Sequence, residues 1–294
     1  MLDFMENDTE NIDIAFIGGS GLYDLEGLED VTSHDINTPF GLPSDSITVG
    51  KSENTRVGFL PRHGRNHTIL PSQVPYQANI YALKSLGVKQ VVSISAVGSL
   101  RDKIKPLQVV VPDQLIDMTK LRQNSYFGGG VVAHISLAEP FCPQLRHTIL
   151  DSCKVESLAF HDGGTYIVIE GPQFSTKAES FLYREWGSDI IGMTALPEAK
   201  LAREAELCYG TIALVTDYDC WHEEEQAVSA KMVITNLKKN AETSTILMKR
   251  IVGALHEYTN CQCGAALSEA LVTKRQDLGK DSADKIKLIV EKYI

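Results

Sequence analysis

The chain has 294 residues, a net charge of −10, and 43% apolar against 22% charged residues. That is ordinary globular composition, long enough for one large α/β domain or two small ones. The acidic balance argues against a general nucleic-acid or membrane-surface binder, but a small anion can still be held where basic groups are concentrated locally.

The first sixteen residues carry acids and no Lys or Arg. They fit neither a secretory signal nor a transit peptide. No apolar run is long enough to cross a bilayer, and a reducing cytoplasm is the expected compartment. Six cysteines occur, and only Cys261 and Cys263 are close in sequence. With no CxxC pair and no matching His spacing, no zinc site is expected; Cys208 and Cys220 read as reduced thiols at the ends of an apolar run.

Residues 1–11 are polar and acidic and read as a flexible N-terminus. Residues 13–17, DIAFI, form a short buried strand running into Gly18-Gly19-Ser20-Gly21. Glycines let backbone N–H groups approach an anion, and Ser20 adds a hydroxyl. The same turn could open a dinucleotide-binding unit, but Asp24 stands where the GxGxxG pattern wants glycine. A purely structural tight turn is a third reading. Residues 46–51 and 55–60 alternate as a hairpin.

The second run delivers Arg62 and His63, followed by Gly64, Arg65 and His67, between Pro61 and Pro71. Arginine offers a planar fork of donors suited to phosphate or carboxylate, although a solvated basic turn would look the same. After Pro75 a helix ends at Gly87. Residues 90–96, QVVSISA, are a β-branched strand leading to Ser95, Gly98 and Ser99, a second small-residue strand end. Residues 107–112 form a strand that 113–117 continues. His134 precedes a helix begun at Pro143.

A strand at 166–169 runs into Glu170-Gly171-Pro172-Gln173-Phe174-Ser175, and Thr176 with Glu179 makes a capping box. A strand at 189–191 ends at Gly192-Met193-Thr194, and a helix covers 197–206. The strand at 209–216 ends at Asp217-Tyr218-Asp219. These two carboxylates are two residues apart and would share one strand face; an acidic strand-end turn is the bland alternative. Residues 229–255 carry a long helical period. The tail, 256–294, is more polar, with helical stretches near 265–271 and 283–293, either docked on a neighbouring subunit or loosely held.

Strands and helices alternate throughout, without repeats or low-complexity linkers. This predicts an α/β fold: a single domain over 1–294 whose twisted mixed central sheet, largely parallel, is flanked by helices. Ligands of such sheets gather outside the carboxyl ends of the strands, where the unusual residues fall.

The strand ends GGSG, PRHG, SAVGS, EGPQFST, GMT and DYD together resemble the trimeric purine nucleoside phosphorylase superfamily. The likeness covers roughly 12–255 and is strongest to the branch acting on 5′-methylthioadenosine. Its longest block is PRHGRNHTILPSQVPYQANIYALKSLG. The resemblance implies cleavage of a purine nucleoside by inorganic phosphate, a co-substrate, with no cofactor or metal. The partners would be nucleoside and phosphate, and the assembly a homotrimer.

By the same resemblance, phosphate is held by Ser20, Arg62, His63, Ser95, the backbone of Ala96, and Thr194. Gly192 and Met193 meet the pentose. His67 and His134 lie near its 5′ end and the subunit boundary, and Val233 and Ile234 line the 5′ pocket. Phe174 packs on the base, Ser175 and Asp219 bind its polar edge, and Asp217 acts at N7, so Asp217 and Asp219 are the catalytic pair. A carboxylate at 217, where 6-oxopurine members tend to carry Asn, points to 6-aminopurines. The alternatives are a 6-oxopurine phosphorylase and, more remotely, a non-catalytic nucleoside-binding protein. Ser20 and Ser95 stand where relatives often have Thr, Gly192 where Asn is frequent, and Ala230 where a larger apolar residue is usual.

Overall fold

The computed structural model describes residues 11–19, 28–222, 230–255 and 261–294, with backbone alone at 230–234 and 237. In chain order the strands are β1 (Ile14–Gly18), β2 (Glu29–His34), β3 (Ile47–Ser52), β4 (Thr55–Pro61), β5 (Gln90–Ser99), β6 (Val109–Val111), β7 (Gln114–Met118), β8 (Phe160–Asp162), β9 (Thr165–Ile169), β10 (Ile190–Gly192) and β11 (Cys208–Asp217). The helices are α1 (Tyr76–Ser85), α2 (Pro143–Val155), α3 (Lys177–Glu185), α4 (Glu198–Glu204), α5 (Ala230–Gly253), α6 (Lys280–Lys285) and α7 (Lys287–Val290). All the strands belong to one mixed sheet.

β5 is the hub. Every residue but Ala96 is buried, as a strand covered on both faces requires. One edge pairs in parallel with β11 along nearly its whole length. The other edge pairs first with β1, at Gln90–Ser93, and then with β10, antiparallel at Gly98 and Ser99. The sheet therefore forks beside β5. Beyond β1 lie β4, β3 and β2, and beyond β10 lie β9 and β7. The fork opens a crevice where β1, β4, β5 and β11 all end, which is where a parallel sheet presents its loops to a ligand.

Most expected elements stand within a residue or two of their predicted bounds, including the hairpin of β3 and β4, Gly87 after α1 at φ 76°, and the Thr176–Glu179 capping box. Three readings change. Residues 113–117 do not continue the preceding strand: β6 pairs with β11 and β8, whereas β7 pairs with β9. The run crosses between branches of the sheet, and apolar patterning carries no sign of such a crossing. β2 and β8 were not foreseen; both are peripheral and largely exposed, so they lack the apolar alternation that marks a half-buried strand.

The tail, too, is neither loose nor dependent on a neighbour for its core contacts. Leu267, Ile286, Ile289 and Val290 are buried in the main core, and Ala133 pairs with Leu271. Residues 1–10 lie outside the described part.

The cysteines, whose spacing along the chain gives no zinc pattern, are brought together by the fold. Cys142 caps the start of α2, Cys208 opens β11, and Cys261 and Cys263 follow α5. Their four sulfurs lie within 4.8 Å of one another. Sequence spacing tests only neighbours along the chain, whereas here the fold joins three distant segments.

Candidate active site

The crevice holds a cavity of about 230 Å³. Among the described residues that line it are Arg62, His63, His67, Ser95, Ala96, Phe174, Ser175, Gly192, Met193, Thr194, Asp217 and Asp219. These come from the ends of β4, β5, β10 and β11 and from the loops after β4 and β9. Of the other expected site residues, Ser20 and the side chains of Val233 and Ile234 lie outside the described part; Gly19 and the helix α5 that carries the last two are on the cavity wall. His134 does not line the cavity of its own chain. Its backbone N–H is bonded to Ala270 O, beside the tail, so its expected substrate contact is not made within one chain.

One side of the cavity is built of hydroxyls leading to a cation. Thr194 Oγ1 donates to Ser95 Oγ at 2.8 Å and lies 3.4 Å from the Tyr166 hydroxyl. Ser95 Oγ is 3.4 Å from Ser93 Oγ, which accepts from Arg62 Nη2 at 2.7 Å. Arg62 is 1% exposed. Its Nε and Nη2 bind both oxygens of Glu198, and its fork also donates to the carbonyls of Ile94 and Ile17. Tyr209 donates its hydroxyl to the same Glu198. Most of the fork is thus spent on orientation, and one N–H on Nη1 has no partner among the described residues.

The Arg62 backbone N–H bonds Gly18 O, which holds the end of β1 against the start of the basic loop. Glu198, the first residue of α4, was not singled out in the sequence. A buried acid at a helix start reads as an ordinary N-terminal charge until its partner, far away in the chain, is seen.

His63 Nδ1 lies 2.9 Å from Ile69 O, and its ring sits 4.5 Å from that of His67. Burial, helped by the adjacent Arg62 charge, pushes His63 down to about 4. Burial also lowers His67. Near pH 7 His63 is neutral; Nδ1–H donates to the Ile69 carbonyl, which leaves Nε2 as an acceptor.

The other side is built of carboxylates. Asp217 Oδ1 accepts from the Asp219 backbone N–H at 2.8 Å, and Oδ2 accepts from Thr216 Oγ1 at 2.7 Å. The two acids do not share a strand face as expected. Asp219 leaves the strand at φ 52° and starts a 3-10 turn, where its Oδ2 accepts from Ser180 Oγ of α3. Burial, and beyond it the neighbouring Asp217 charge, pushes Asp219 up to about 6 against the opposing Ser180 bond. Nearby, the buried Ser175 hydroxyl has no hydrogen-bond partner among the described residues, and Phe174 stands 47% exposed. A buried hydroxyl without a partner is costly unless a ligand completes it.

Two close approaches explain two glycines. A Cβ at Gly98 would come within 2.9 Å of Asp217 Oδ1, so only glycine lets that carboxylate lie against β5. A Cβ at Gly192 would fall 2.4 Å from the Tyr166 hydroxyl. This accounts for glycine at 192, since Tyr166 occupies the space a side chain would need. The register of β11 against β5 slips between Val215 and Asp217, and α5 accepts the slip: Asn236 and Asn240 donate to the carbonyls of Thr216 and Val215. Neither asparagine was marked by the sequence, because each acts on backbone rather than on a motif.

A cluster of hydroxyls fed by Arg62 and a pair of carboxylates thus share one cavity of a forked α/β sheet, the layout of an enzyme site with one anion-seeking and one acidic wall. The family profile described as "Phosphorylase superfamily" matches residues 13–253, and the chain belongs to that family. It is 50% identical over 285 residues to S-methyl-5'-thioadenosine phosphorylase of Gloeobacter violaceus, covering 95% of each chain. It is 48% identical to the protein of that name in Geobacter sulfurreducens, covering 96% of this chain and 99% of the other. Among solved structures, a methylthioadenosine phosphorylase sourced from an antarctic soil metagenomic library superposes with a TM-score of 0.90 at 49% identity, covering 95% and 99%. Methylthioadenosine phosphorylase from Schistosoma mansoni in complex with adenine gives 0.81 at 32% identity, covering 96% and 98%.

Proposed function

We propose that this chain cleaves 5′-methylthioadenosine with inorganic phosphate, releasing adenine and 5-methylthioribose 1-phosphate. The observation that carries this reading is the single cavity lined both by the Arg62-fed hydroxyls and by Asp217.

Phosphate sits against Ser95, the Ala96 backbone, Thr194 and the remaining N–H of Arg62; the family resemblance adds Ser20, which lies outside the described residues. His63 Nε2 accepts from a protonated phosphate oxygen. Thr194 Oγ1 gives its proton to Ser95 Oγ, which leaves the Ser95 proton to face the anion, so this part of the subsite is oriented before phosphate arrives. Breaking the C–N bond builds positive charge on the sugar and negative charge on the purine, as in glycoside cleavage. Phosphate beneath C1′ stabilises that cation and then captures it.

Asp217 supplies the proton or hydrogen bond at N7, and its second oxygen accepts the exocyclic amine of adenine. Asp219 and Ser175 take up the polar edge of the base, with Phe174 on its face. Met193 meets the pentose, and His67 and the α5 residues Val233 and Ile234 surround the 5′ group. His134 reaches a substrate only across a subunit boundary. The reaction draws on no cofactor.

The assembly is a homotrimer, a reading supported by the exposed apolar group of Phe181, Leu182 and Trp186 on and just after α3. No helix among the described residues is long and apolar enough to cross a membrane. The compartment is the cytoplasm, and the reaction serves purine and methionine salvage.

The deciding assay incubates the protein with methylthioadenosine, adenosine and inosine, with and without phosphate, and identifies the bases released. Phosphate-dependent adenine release, fastest from methylthioadenosine, is expected. Hypoxanthine as the main product, or adenine release without phosphate, would remove the assignment. Light scattering checks the assembly, which should weigh three chains.

A further inference from the structure

At the end of β11 opposite Asp217, the four cysteines Cys142, Cys208, Cys261 and Cys263 converge from three segments of the chain. We propose that these four thiols form a closed, structural binding site for one thiophilic divalent cation, of which zinc is the best fit.

The geometry is that of a tetrathiolate cage. Cys261 Sγ lies 3.5 Å from Cys142 Sγ and 3.3 Å from Cys208 Sγ, and all four sulfurs fall within 4.8 Å of one another. A tetrahedral zinc–thiolate centre, with Zn–S near 2.3 Å, sets its sulfurs about 3.8 Å apart. The two shortest contacts fall a little below that value, and none of the separations exceeds 4.8 Å. Four soft sulfur ligands and no oxygen select zinc over magnesium or calcium.

The surroundings suit thiolates. Cys142 occupies the cap position of α2, where its sulfur accepts from the Leu145 backbone N–H at 3.5 Å. Both that bond and the positive end of the helix favour a negative sulfur. The Cys142 backbone N–H is tied to Tyr209 O, which fixes the α2 cap beside the start of β11. Apolar neighbours such as Leu145 and Ile149 keep water out, and Cys142, Cys208 and Cys263 are themselves buried. On binding, each thiol gives its proton to solvent as its sulfur–metal bond forms, so one ion enters and up to four protons leave.

The position makes the role structural. Nine residue-to-residue steps of extended strand separate Cys208 from Asp217, about 30 Å. Four protein ligands leave no open coordination position for substrate. What the site joins is the tail: Cys261 and Cys263 begin the segment whose Leu267, Ile286, Ile289 and Val290 fill the core. The ion would tie that segment to α2 and β11.

The test uses the full chain purified under reducing conditions from zinc-supplemented cells. Metal analysis should find about one zinc per chain. Exchange for cobalt(II) should give the intense sulfur-to-metal charge-transfer and visible bands of a tetrahedral tetrathiolate. The variant Cys261→Ser/Cys263→Ser should lose the metal and melt lower, while Cys153→Ser, a buried cysteine outside the group, should keep it. If the double variant does not fold, the cobalt spectrum of the unaltered chain decides. Metal-free protein with all six thiols titratable, two disulfides by mass, or cobalt bands typical of oxygen ligands would each overturn the proposal.

Discussion

The two halves of the cavity are built differently. On the Arg62 side, nearly every polar atom already has a protein partner: Arg62 is clamped by Glu198, and hydroxyls run from Ser93 through Ser95 to Thr194. On the Asp217 side, that carboxylate is held by its own loop, Ser175 Oγ has no partner among the described residues, and Phe174 stands exposed. The first half is set in advance for an ion of fixed shape. The second, in the proposed reaction, is completed by the base. The difference follows from cost: a buried cation must be paired within the fold, whereas a serine hydroxyl can tolerate an open bond until substrate arrives.

Changes on the two sides should therefore fail in different ways. The largest effect is expected at Arg62→Ala, which removes the cation and strands Glu198, 0% exposed, without its partner. Stability should fall by about 3–5 kcal/mol in denaturant unfolding, and the phosphate requirement should rise steeply. An unaltered phosphate dependence in the folded fraction would take Arg62 out of the site. Next comes Asp217→Asn, which keeps the shape and removes the acid. It should lower kcat/KM for methylthioadenosine by about 10²–10³-fold with little change in melting, and it should open inosine cleavage. Equal activity would break the assignment of Asp217.

A pH effect of intermediate size follows from Asp219, raised from 3.8 to about 6. Below the lower value both folded and unfolded chains hold the proton. Between the two values only the folded chain does, so stability should fall as pH rises from about 4 to about 6, by about 2–3 kcal/mol, and then level off. Asp219→Asn should remove that slope from melting curves recorded across the range.

Gly98→Ala comes fourth, because a Cβ there meets Asp217 Oδ1 at 2.9 Å. It should cut kcat about 10-fold by displacing the carboxylate, with phosphate KM unmoved. The smallest effect belongs to Ser175→Ala. Since the hydroxyl makes no bond in the described structure, stability should hold while KM for the nucleoside rises several-fold, a loss of about 1 kcal/mol. Destabilisation instead would show that Ser175 is satisfied within the fold, and the contrast between the two halves would weaken.

How much of this could be read from the chain depends on the range of each signal. Strand β5, the capping box at Thr176 and the basic loop at Arg62 announce themselves through neighbours a few residues away, and twelve expected site residues do line one cavity. Glu198, Asn236 and Asn240 left no local mark, because each acts on a group far off in sequence. His134 lay in plausible company along the chain yet sits beside the tail, outside its own chain's cavity.

By itself the sequence determined the alternation of strands and helices, the placing of small and charged residues at strand ends, and the chemistry those residues can perform, since all three rest on side-chain type and short spacing. Only the tertiary structure decided that the sheet forks at β5, that Arg62 is bound to Glu198, that Asp219 turns out of the strand to meet Ser180, and that four scattered cysteines converge. Each of those is a long-range pairing. Its partners share no periodicity, and only burial in a common core brings them within bonding distance.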